Sequence, residues 1–135
     1  MTGQQAITEI CKMLDAGNVG IQIFKNRREV NFSGSEYIVV NHLPFPQECG
    51  LQEGYANINI HAKDTDTGEP DSGRIDQISA LVLPLFKETE DAEGNIYTAR
   101  LGAEFSLYDD SFVPDEDGTS YQNFKIKVTY YNYIS

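Results

Sequence analysis

Residues 55–62 read Tyr-Ala-Asn-Ile-Asn-Ile-His-Ala, and this stretch decides the fold. Small or apolar residues alternate there with polar and aromatic ones, and a period of two is typical of a strand that is buried on one side only. One side should therefore pack against helices while the other stays open. We expect Ala56, Ile58, Ile60 and Ala62 to face the core, and Tyr55, Asn57, Asn59 and His61 to face outward.

An amphipathic helix is predicted near the start of the sequence, over residues 3–16. Thr2 and Gln5 have the spacing of a capping box, in which each side chain can bond to the backbone N–H of the other residue. Apolar residues then recur with helical spacing as far as Leu14. Gly17 follows, and it tolerates the left-handed φ with which many helices end.

A second amphipathic helix is predicted after the polar loop of residues 64–71. Asp71 or Ser72 can cap its first turn. Pro84 should kink its last turn or end it early, because proline lacks the backbone N–H. The apolar stripe of this helix consists of Ile75, Ile78, Leu81, Val82, Leu85 and Phe86.

Four further strands are predicted on either side of the central one. Residues 19–24 alternate, and residues 36–43 are rich in β-branched side chains. Residues 97–108 and 120–133 should pair as an antiparallel hairpin, with the acidic loop 109–118 at its tip. The inward positions of this hairpin are expected to be Leu101, Ala103, Phe105 and Leu107, and then Phe124, Ile126, Val128 and Tyr130.

The predicted order of elements, α-β-β-β-α-β-β, indicates the fold class. Helices and strands do not alternate regularly, so a doubly wound parallel sheet is not expected. We predict one α+β domain over residues 1–135, with a single mainly antiparallel sheet of four to five strands and two helices packed on one face. A chain of 135 residues is long enough to bury such a core without disulfides or metal.

The charge of the chain limits its partners. Ten Lys and Arg residues against 21 Asp and Glu residues leave a formal charge of -11, which repels nucleic acid and argues against a duplex-binding protein. Cys11 and Cys49 form neither a disulfide framework nor a zinc spacing, so a reducing compartment is the simpler interpretation. We recognise no signal peptide and no apolar stretch of membrane-spanning length, and we expect a cytoplasmic protein without membrane contact.

No catalytic motif is recognisable in the sequence. Asp109-Asp110 and Asp115-Glu116-Asp117 imitate paired catalytic carboxylates, but little apolar sequence surrounds them to raise their pKa values. A solvated loop is the better interpretation of both groups. We therefore predict that the protein is not an enzyme and uses no cofactor.

Among metal-binding motifs, the sequence comes closest to matching a calcium-binding loop. Residues 64–68, Asp-Thr-Asp-Thr-Gly, resemble the start of an EF-hand loop, but the Gly comes one place early and Ile75 stands where a Glu is required. A flexible acidic turn is favoured, and weak calcium binding stays open. His42 and His61 have no third ligand at a motif spacing, so no metal site is predicted.

The last predicted strand carries side chains suited to a partner. Lys125, Lys127, Tyr131 and Tyr133 should point away from the core, and exposed tyrosines are typical interface anchors. We predict a subunit contact there, although a second core layer covered by a loop explains the tyrosines equally well.

Lys25, Arg27 and Arg28 form the tightest basic cluster of the sequence. A basic patch on an acidic subunit can mate with an acidic patch of its neighbour in a ring. A solvated hairpin turn is at least as good an explanation of this cluster taken alone.

The pattern resembles the tail terminator, or tail completion, proteins of long-tailed bacteriophages and prophages, which join head and tail. Order and patterning carry the resemblance, which spans nearly the whole chain. The matching elements are the opening helix 6–16, the strand 55–62 with its loop and following helix 75–86, and the closing strands 99–108 and 123–133.

This resemblance implies a structural protein that assembles as a ring, usually a hexamer, at the end of the tail tube. Its partners would be other copies and the neighbouring tail-tube or connector proteins, first in the host cytoplasm and then in the virion tail. It implies an acidic lining for the DNA channel, because carboxylates repel phosphate and leave the duplex mobile. The predicted lumen residues are Asp64, Asp66, Glu69, Asp71, Asp109, Asp110, Asp115, Glu116 and Asp117.

Two other classes of function stay open at this point. A small acidic inhibitor or DNA mimic would occupy the basic nucleic-acid site of another protein, and it should space its charges regularly over one face. A small enzyme or metal-binding domain of another kind is the third interpretation.

Overall fold

The computed structural model describes residues 1–114 and 119–132. Two α-helices, one 3₁₀ helix and seven strands form in this part of the chain. In chain order they are α1 (Gly3–Ala16), β1 (Ile23–Lys25), β2 (Tyr37–His42), β3 (Gly50–Lys63), α2 (Ser72–Val82), the 3₁₀ helix (Leu83–Phe86), β4 (Thr89–Glu90), β5 (Ile96–Arg100), β6 (Ala103–Val113) and β7 (Thr119–Asn132).

The seven strands of the described residues form one sheet in the order β1-β2-β3-β7-β6-β5-β4. All neighbours are antiparallel except β1 and β2, which are parallel. The α+β class with two helices is confirmed, but the sheet is larger and more mixed than the expected four to five antiparallel strands. Residues 26–36 return the chain to the starting level of β1 instead of forming a hairpin, and the two residues of β4 are too few to show a period.

Both helices pack on the same face of the sheet, and one hydrophobic cluster fills the space between them. The predicted alternation of the central strand is confirmed, because its inward residues are at most 1% exposed. Fully buried members of the cluster are Ile7, Ile10 and Leu14 of α1, Ile78 of α2, Phe86, Ala56, Ile58 and Ile60 of β3, Phe105 of β6 and Ile126 of β7.

The capping box that begins α1 is confirmed. The Gln5 backbone N–H donates to the Thr2 hydroxyl (3.1 Å), and the Thr2 N–H donates to the Gln5 side chain (2.8 Å). Gly17 ends the helix, but with φ -78° rather than the expected left-handed conformation. Close packing explains the glycine instead, since a Cβ atom there would lie 2.8 Å from Cδ2 of Leu85.

Asp71 caps α2 by accepting a hydrogen bond from the Arg74 N–H (3.0 Å). The α-helix ends at Val82, and Pro84 falls in the 3₁₀ helix, as the missing N–H of proline requires. The predicted apolar stripe is too wide, because Leu81 is 46% exposed. Leu81 lies beside the row of residues that faces the sheet, and this row consists of Ile75, Ile78 and Val82.

The first strand is shorter than residues 19–24, which were predicted from the alternation. Asn18 and Gly20 adopt positive φ values of 53° and 75°, so the chain bends there and enters the sheet only at Ile23. Val19 is still buried, because it packs into the core from this bend. Alternation alone cannot distinguish such a bend from a strand.

Residues 97–108 form two strands and not one. Leu101 and Gly102 make a two-residue turn with φ values of 49° and 74°, and two positive values are typical of a tight hairpin turn. Leu101 is therefore 75% exposed instead of facing inward. Asp109 and Asp110 also depart from the prediction, because they lie within β6 and pair with β7 rather than standing in the loop.

Candidate interaction surface

The helices cover one face of the sheet, and no helix of the described chain lies on the opposite face, where Tyr37 and Val39 of β2 are nevertheless buried. We call this opposite face the outer face. The predicted outward direction of the β3 residues is confirmed, because the β3 burial pattern alternates along the strand. Central side chains of the outer face are Tyr37, Val39 and Asn41 on β2, Glu53, Tyr55, Asn57, Asn59 and His61 on β3, and Tyr121, Asn123, Lys125, Lys127, Thr129 and Tyr131 on β7.

An aromatic row crosses three strands of the outer face. Tyr37 stacks on His61 with ring centroids 4.4 Å apart, and His61 stacks on Tyr121 at 4.7 Å. Phe24 and Phe32 pack edge-on against Tyr37 at 6.1 and 5.8 Å, so the loop after β1 covers one end of the row. Offset aromatic contacts of this kind stabilise a sheet beyond the area that they bury.

Four asparagines form a hydrogen-bonded cluster beside that row. Asn57 donates to Asn41 (2.9 Å), and Asn123 donates to Asn59 (2.7 Å) and Asn57 (3.2 Å). Each amide is partly buried and engages its cross-strand neighbour. The centre of the outer face is therefore polar but already satisfied within the chain, and it offers few unmet hydrogen-bonding groups to a partner.

Lys127 lies on the outer face as predicted, but it is already paired. Its ammonium is 3.1 Å from the Glu53 carboxylate, and this hydrogen bond raises the pKa of Lys127. Tyr55 is opposite Lys127 in the register and contacts Tyr108 edge-on at 5.0 Å. Burial, together with the neighbouring Tyr108 and Glu53, raises the pKa of Tyr55, so the Tyr55 hydroxyl stays protonated beside this ion pair.

Tyr131 lies directly opposite Leu51 of β3, near one end of the sheet. The two side chains are 55% and 66% exposed, so no loop of the described chain covers them as a second core layer would require. Lys125 is half-buried on the same strand. Tyr133 lies outside the described residues, and the contact role of these side chains stays a prediction.

The basic cluster does not form a hairpin turn. Lys25 ends β1 and donates to the Thr8 hydroxyl of α1 (2.8 Å), so its charge is tied to the helix layer. The Arg28 guanidinium lies 5.4 Å from the centre of the Tyr37 ring, over one end of the aromatic row. Arg27 is exposed between them. The three cations thus line the outer margin of the sheet beside β1.

The strand register places one of the acidic segments, the loop after β3, at one end of the sheet, which we call the acidic end. Lys63, the last residue of β3, lies beside Thr119, the first residue of β7, and Val113 of β6 pairs with the nearby Tyr121. Described carboxylates that follow Lys63 at this end are Asp64, Asp66, Glu69 and Asp71. The other acidic segments lie elsewhere: Asp109 and Asp110 pair with Lys125 and Phe124 midway along β7, and Glu90 pairs with Ile96 at the start of β5.

Some of these carboxylates accept hydrogen bonds from other parts of the chain. Asp64 accepts a hydrogen bond from the Ser120 hydroxyl (2.8 Å), which ties the loop after β3 to β7. The Asp91 carboxylate accepts from Asn95, and these hydrogen bonds lower the pKa of Asp91. Asp66 and Glu69 are exposed, as are Asp109 and Asp110. The predicted lumen residues Asp115, Glu116 and Asp117 lie outside the described residues.

Exposed apolar side chains gather at the opposite end of the sheet, which we call the apolar end. It consists of Leu51 on β3, Leu101 in the β5–β6 turn and Tyr131 on β7, which are 66%, 75% and 55% exposed. Leu43, which is 41% exposed, lies beside Tyr55, nearer the middle of the sheet. Only Tyr131 was predicted as a contact residue. Leu51 and Leu101 are distant in the sequence, and only the strand register shows that they share one end.

The described residues contain no group of three or more His, Cys, Asp or Glu side chains that could hold a metal ion. The ring of His42 bonds to the Leu43 carbonyl oxygen (2.7 Å), and Cys11 is partly buried, which raises the pKa of its thiol. Within the described ranges, no helix is both long enough and apolar enough to cross a membrane.

Comparison with known proteins adds no relative: the sequence matches no protein-family model and no curated protein. The features of the described residues that bear on function are the acidic end, the apolar end and the cationic margin beside β1, all of which lie on the surface.

Proposed function

We propose that the protein is a structural subunit of the head–tail neck of a long-tailed bacteriophage or prophage, where it forms a ring at the end of the tail tube by protein–protein contacts. The observation that carries the proposal is the apolar end. Leu51, Leu101 and Tyr131 are each more than half exposed there, although a monomeric protein rarely gathers such side chains at one place.

The polarity of the sheet suits a subunit that faces protein on one side and DNA on the other. In a ring whose axis runs along the strands, the apolar end meets the tail tube or connector, and the acidic end stands at the mouth of the channel. Carboxylates at that mouth repel DNA phosphates, whereas cations would bind them through counterion release and hold the duplex. The net charge of -11 agrees with such a passage.

A DNA mimic receives less support from the same geometry. A mimic needs carboxylates spaced over one face, so that they imitate the two rows of phosphates of a duplex. The outer face of this protein instead carries amides, aromatic rings and two lysines, Lys125 and Lys127. The described carboxylates lie mainly in the loop after β3, beside β4 and on β6, and not in two rows over one face.

The proposal is tested by adding the purified protein to tail tubes that are assembled from the tube protein encoded beside its gene. Negative-stain electron microscopy should show a ring, expected as a hexamer, at one end of each tube. The double variant Leu51→Ser/Tyr131→Ser should reduce the occupied ends about tenfold or more, because it removes the central apolar anchors.

The matched control is Leu81→Ser, which removes a side chain that is 46% exposed on α2, away from the apolar end. It should leave the occupancy of tube ends unchanged. Bare tube ends with the unaltered protein, or an equal loss with the Leu81 variant, would contradict the proposed function.

A further inference from the structure

Strand β6 has an open edge over most of its length. Its outer neighbour β5 pairs only with Ala103, Glu104 and Phe105. From Ser106 to Val113, β7 is the only strand of the described chain that pairs with β6. An open edge of this length presents unpaired backbone N–H and C=O groups, which can bind an added strand. We call residues 106–113 the β6 edge.

The side chains of the β6 edge select which strand can be added. Asp109 and Asp110 are exposed, and a bulge between Leu107 and Asp109 bends the edge. Inserted charge and bulges normally protect edges from indiscriminate pairing. Phe112 and Tyr108 are nevertheless 42% and 55% exposed, so the edge offers apolar surface as well as negative charge. A matching strand must therefore be cationic and must provide an apolar recess.

Strand β1 at the other margin of the sheet has both properties. In the described chain it pairs only with β2, so its second side is open. A recess of about 570 Å³ runs beside it, and its lining includes Phe24 and Val30 together with Arg27, Arg28 and Glu29, so cations outnumber the one carboxylate there. Val30 is 83% exposed, which leaves apolar surface uncovered next to the cations. We call β1 with Arg27 and Arg28 the β1 edge.

The directions of the two edges are also compatible. β1 is parallel to β2, and three successive antiparallel pairings lead from β2 through β3 and β7 to β6. β1 and β6 therefore run in opposite directions. In a ring whose axis lies along the strands, the β1 edge of one subunit meets the β6 edge of the next as an antiparallel pair, which is the more stable arrangement.

We propose that the β1 edge of one copy of this protein binds the β6 edge of a second copy, so that neighbouring sheets join into one continuous sheet. The two edges are different surfaces, so the contact is head-to-tail and generates a closed ring or an open filament rather than a twofold dimer. This inference rests on the proposed ring and names the surfaces that build it.

Charge reversal tests the contact, with sedimentation velocity at low ionic strength as the measurement. Arg27→Glu/Arg28→Glu makes both edges acidic, and Asp109→Lys/Asp110→Lys makes both edges basic. Each variant alone should lose about tenfold or more of its oligomer, because like charges then face each other. An equal mixture of the two should recover mixed oligomers, since every contact then pairs opposite charges.

Four controls keep the outcome clear. Circular dichroism establishes that each variant is folded, and one chain with all four substitutions should again self-associate. Asp66→Lys/Glu69→Lys makes the same change in net charge within an exposed loop, and it should not reduce association. High salt should weaken the unaltered oligomer, because the attraction between the edges is screened.

The results separate the edge contact from the proposed function. Rings that persist in both charge-reversed variants, or a mixture that does not recover, would overturn the edge contact and leave the ring function standing. Oligomers that depend on these edges but never bind tail tubes would support the contact and overturn the neck function. A protein that stays monomeric with and without tube ends would overturn both.

Discussion

The two ends of the central strands differ in how they are held together. At the apolar end, β3 and β7 are clamped by the segment after β2: Phe45 stacks on Tyr130 with centroids 5.9 Å apart, and the Tyr130 hydroxyl donates to the Pro46 carbonyl oxygen. The Asn132 side chain donates to the Glu48 carbonyl (2.8 Å). At the acidic end, the Ser120 hydroxyl of β7 donates to Asp64 in the loop after β3 (2.8 Å).

This difference suggests a division of labour within one sheet. Packed aromatic contacts hold the backbone of the apolar end in place. The leucines and the tyrosine there can therefore stay exposed instead of packing into the core. In the proposed neck role the acidic end needs charge rather than shape, because repulsion of phosphate acts over roughly a Debye length of about 8–10 Å and tolerates loop movement. Substitutions of supporting residues at the apolar end should therefore lower the free energy of unfolding much more than substitutions at the acidic end.

The largest effect is expected from Tyr130→Ala at the apolar end. The side chain is 3% exposed and supports Phe45, so its removal should lower the free energy of unfolding by about 3–5 kcal/mol. Tyr130→Phe keeps the stacked ring and loses only the hydrogen bond to Pro46, at a cost of about 1 kcal/mol. Urea denaturation followed by circular dichroism measures both.

The neighbouring Tyr131 is the matched control for that prediction. It is 55% exposed on the other face of β7, so Tyr131→Ala should change the free energy of unfolding by less than about 0.5 kcal/mol. Equal losses in the Tyr130 and Tyr131 variants would show that the apolar end has no packed support of the kind described.

Local sequence signals predicted some parts of this structure and missed others. Alternation in residues 55–62 and the capping box at Thr2 are local signals, and both predicted the structure correctly. The two-residue turn at Leu101 interrupts an alternation that continues on both sides of it, so the pattern indicated one strand. Local periodicity cannot detect a turn whose residues keep the phase of the flanking strands.

The candidate surfaces could not be predicted from the sequence, because strand pairing brings together residues that are distant along the chain. Leu51 and Leu101 are separated by strands and helices, and each taken alone is an ordinary surface leucine. The acidic segments were recognised by composition, but only the register shows that the loop after β3 lies at one end of the sheet and that Asp109 and Asp110 lie midway along it. Composition and periodicity do not determine which distant segments pair as strands.

An intermediate effect is expected from Asp71→Ala at the acidic end. The Asp71 carboxylate caps α2 by accepting from the Arg74 N–H, and loss of a helix cap costs about 1 kcal/mol of unfolding free energy. Asp66→Ala in the same loop removes an exposed charge and should be neutral to within about 0.5 kcal/mol. Thermal unfolding of the two variants distinguishes the cap from the unpaired charge; equal losses would mean that the loop is held as a unit.

The smallest effect concerns pH and Glu36, a carboxylate near the acidic end that has a bidentate cationic partner. Glu36, just before β2, accepts from Arg74 at 2.5 and 2.7 Å. This hydrogen bonding lowers the pKa of Glu36 from its usual value of 4.5. The folded state therefore binds the proton less readily than the unfolded state, so the pair adds stability above about pH 4.5 and loses it as the pH falls through the lowered pKa.

Glu36→Gln should consequently cost about 0.5–1 kcal/mol of unfolding free energy at neutral pH, a modest figure because both side chains are partly exposed to solvent. The difference from the unaltered protein should shrink towards zero in acid, where Glu36 is protonated in both states. Arg74→Gln should remove the same pH dependence, since it takes away the other half of the pair. Urea titrations across the acid range measure the difference, and one that stayed constant down to the lowest pH would mean that Glu36 stabilises the fold through packing and not through its charge.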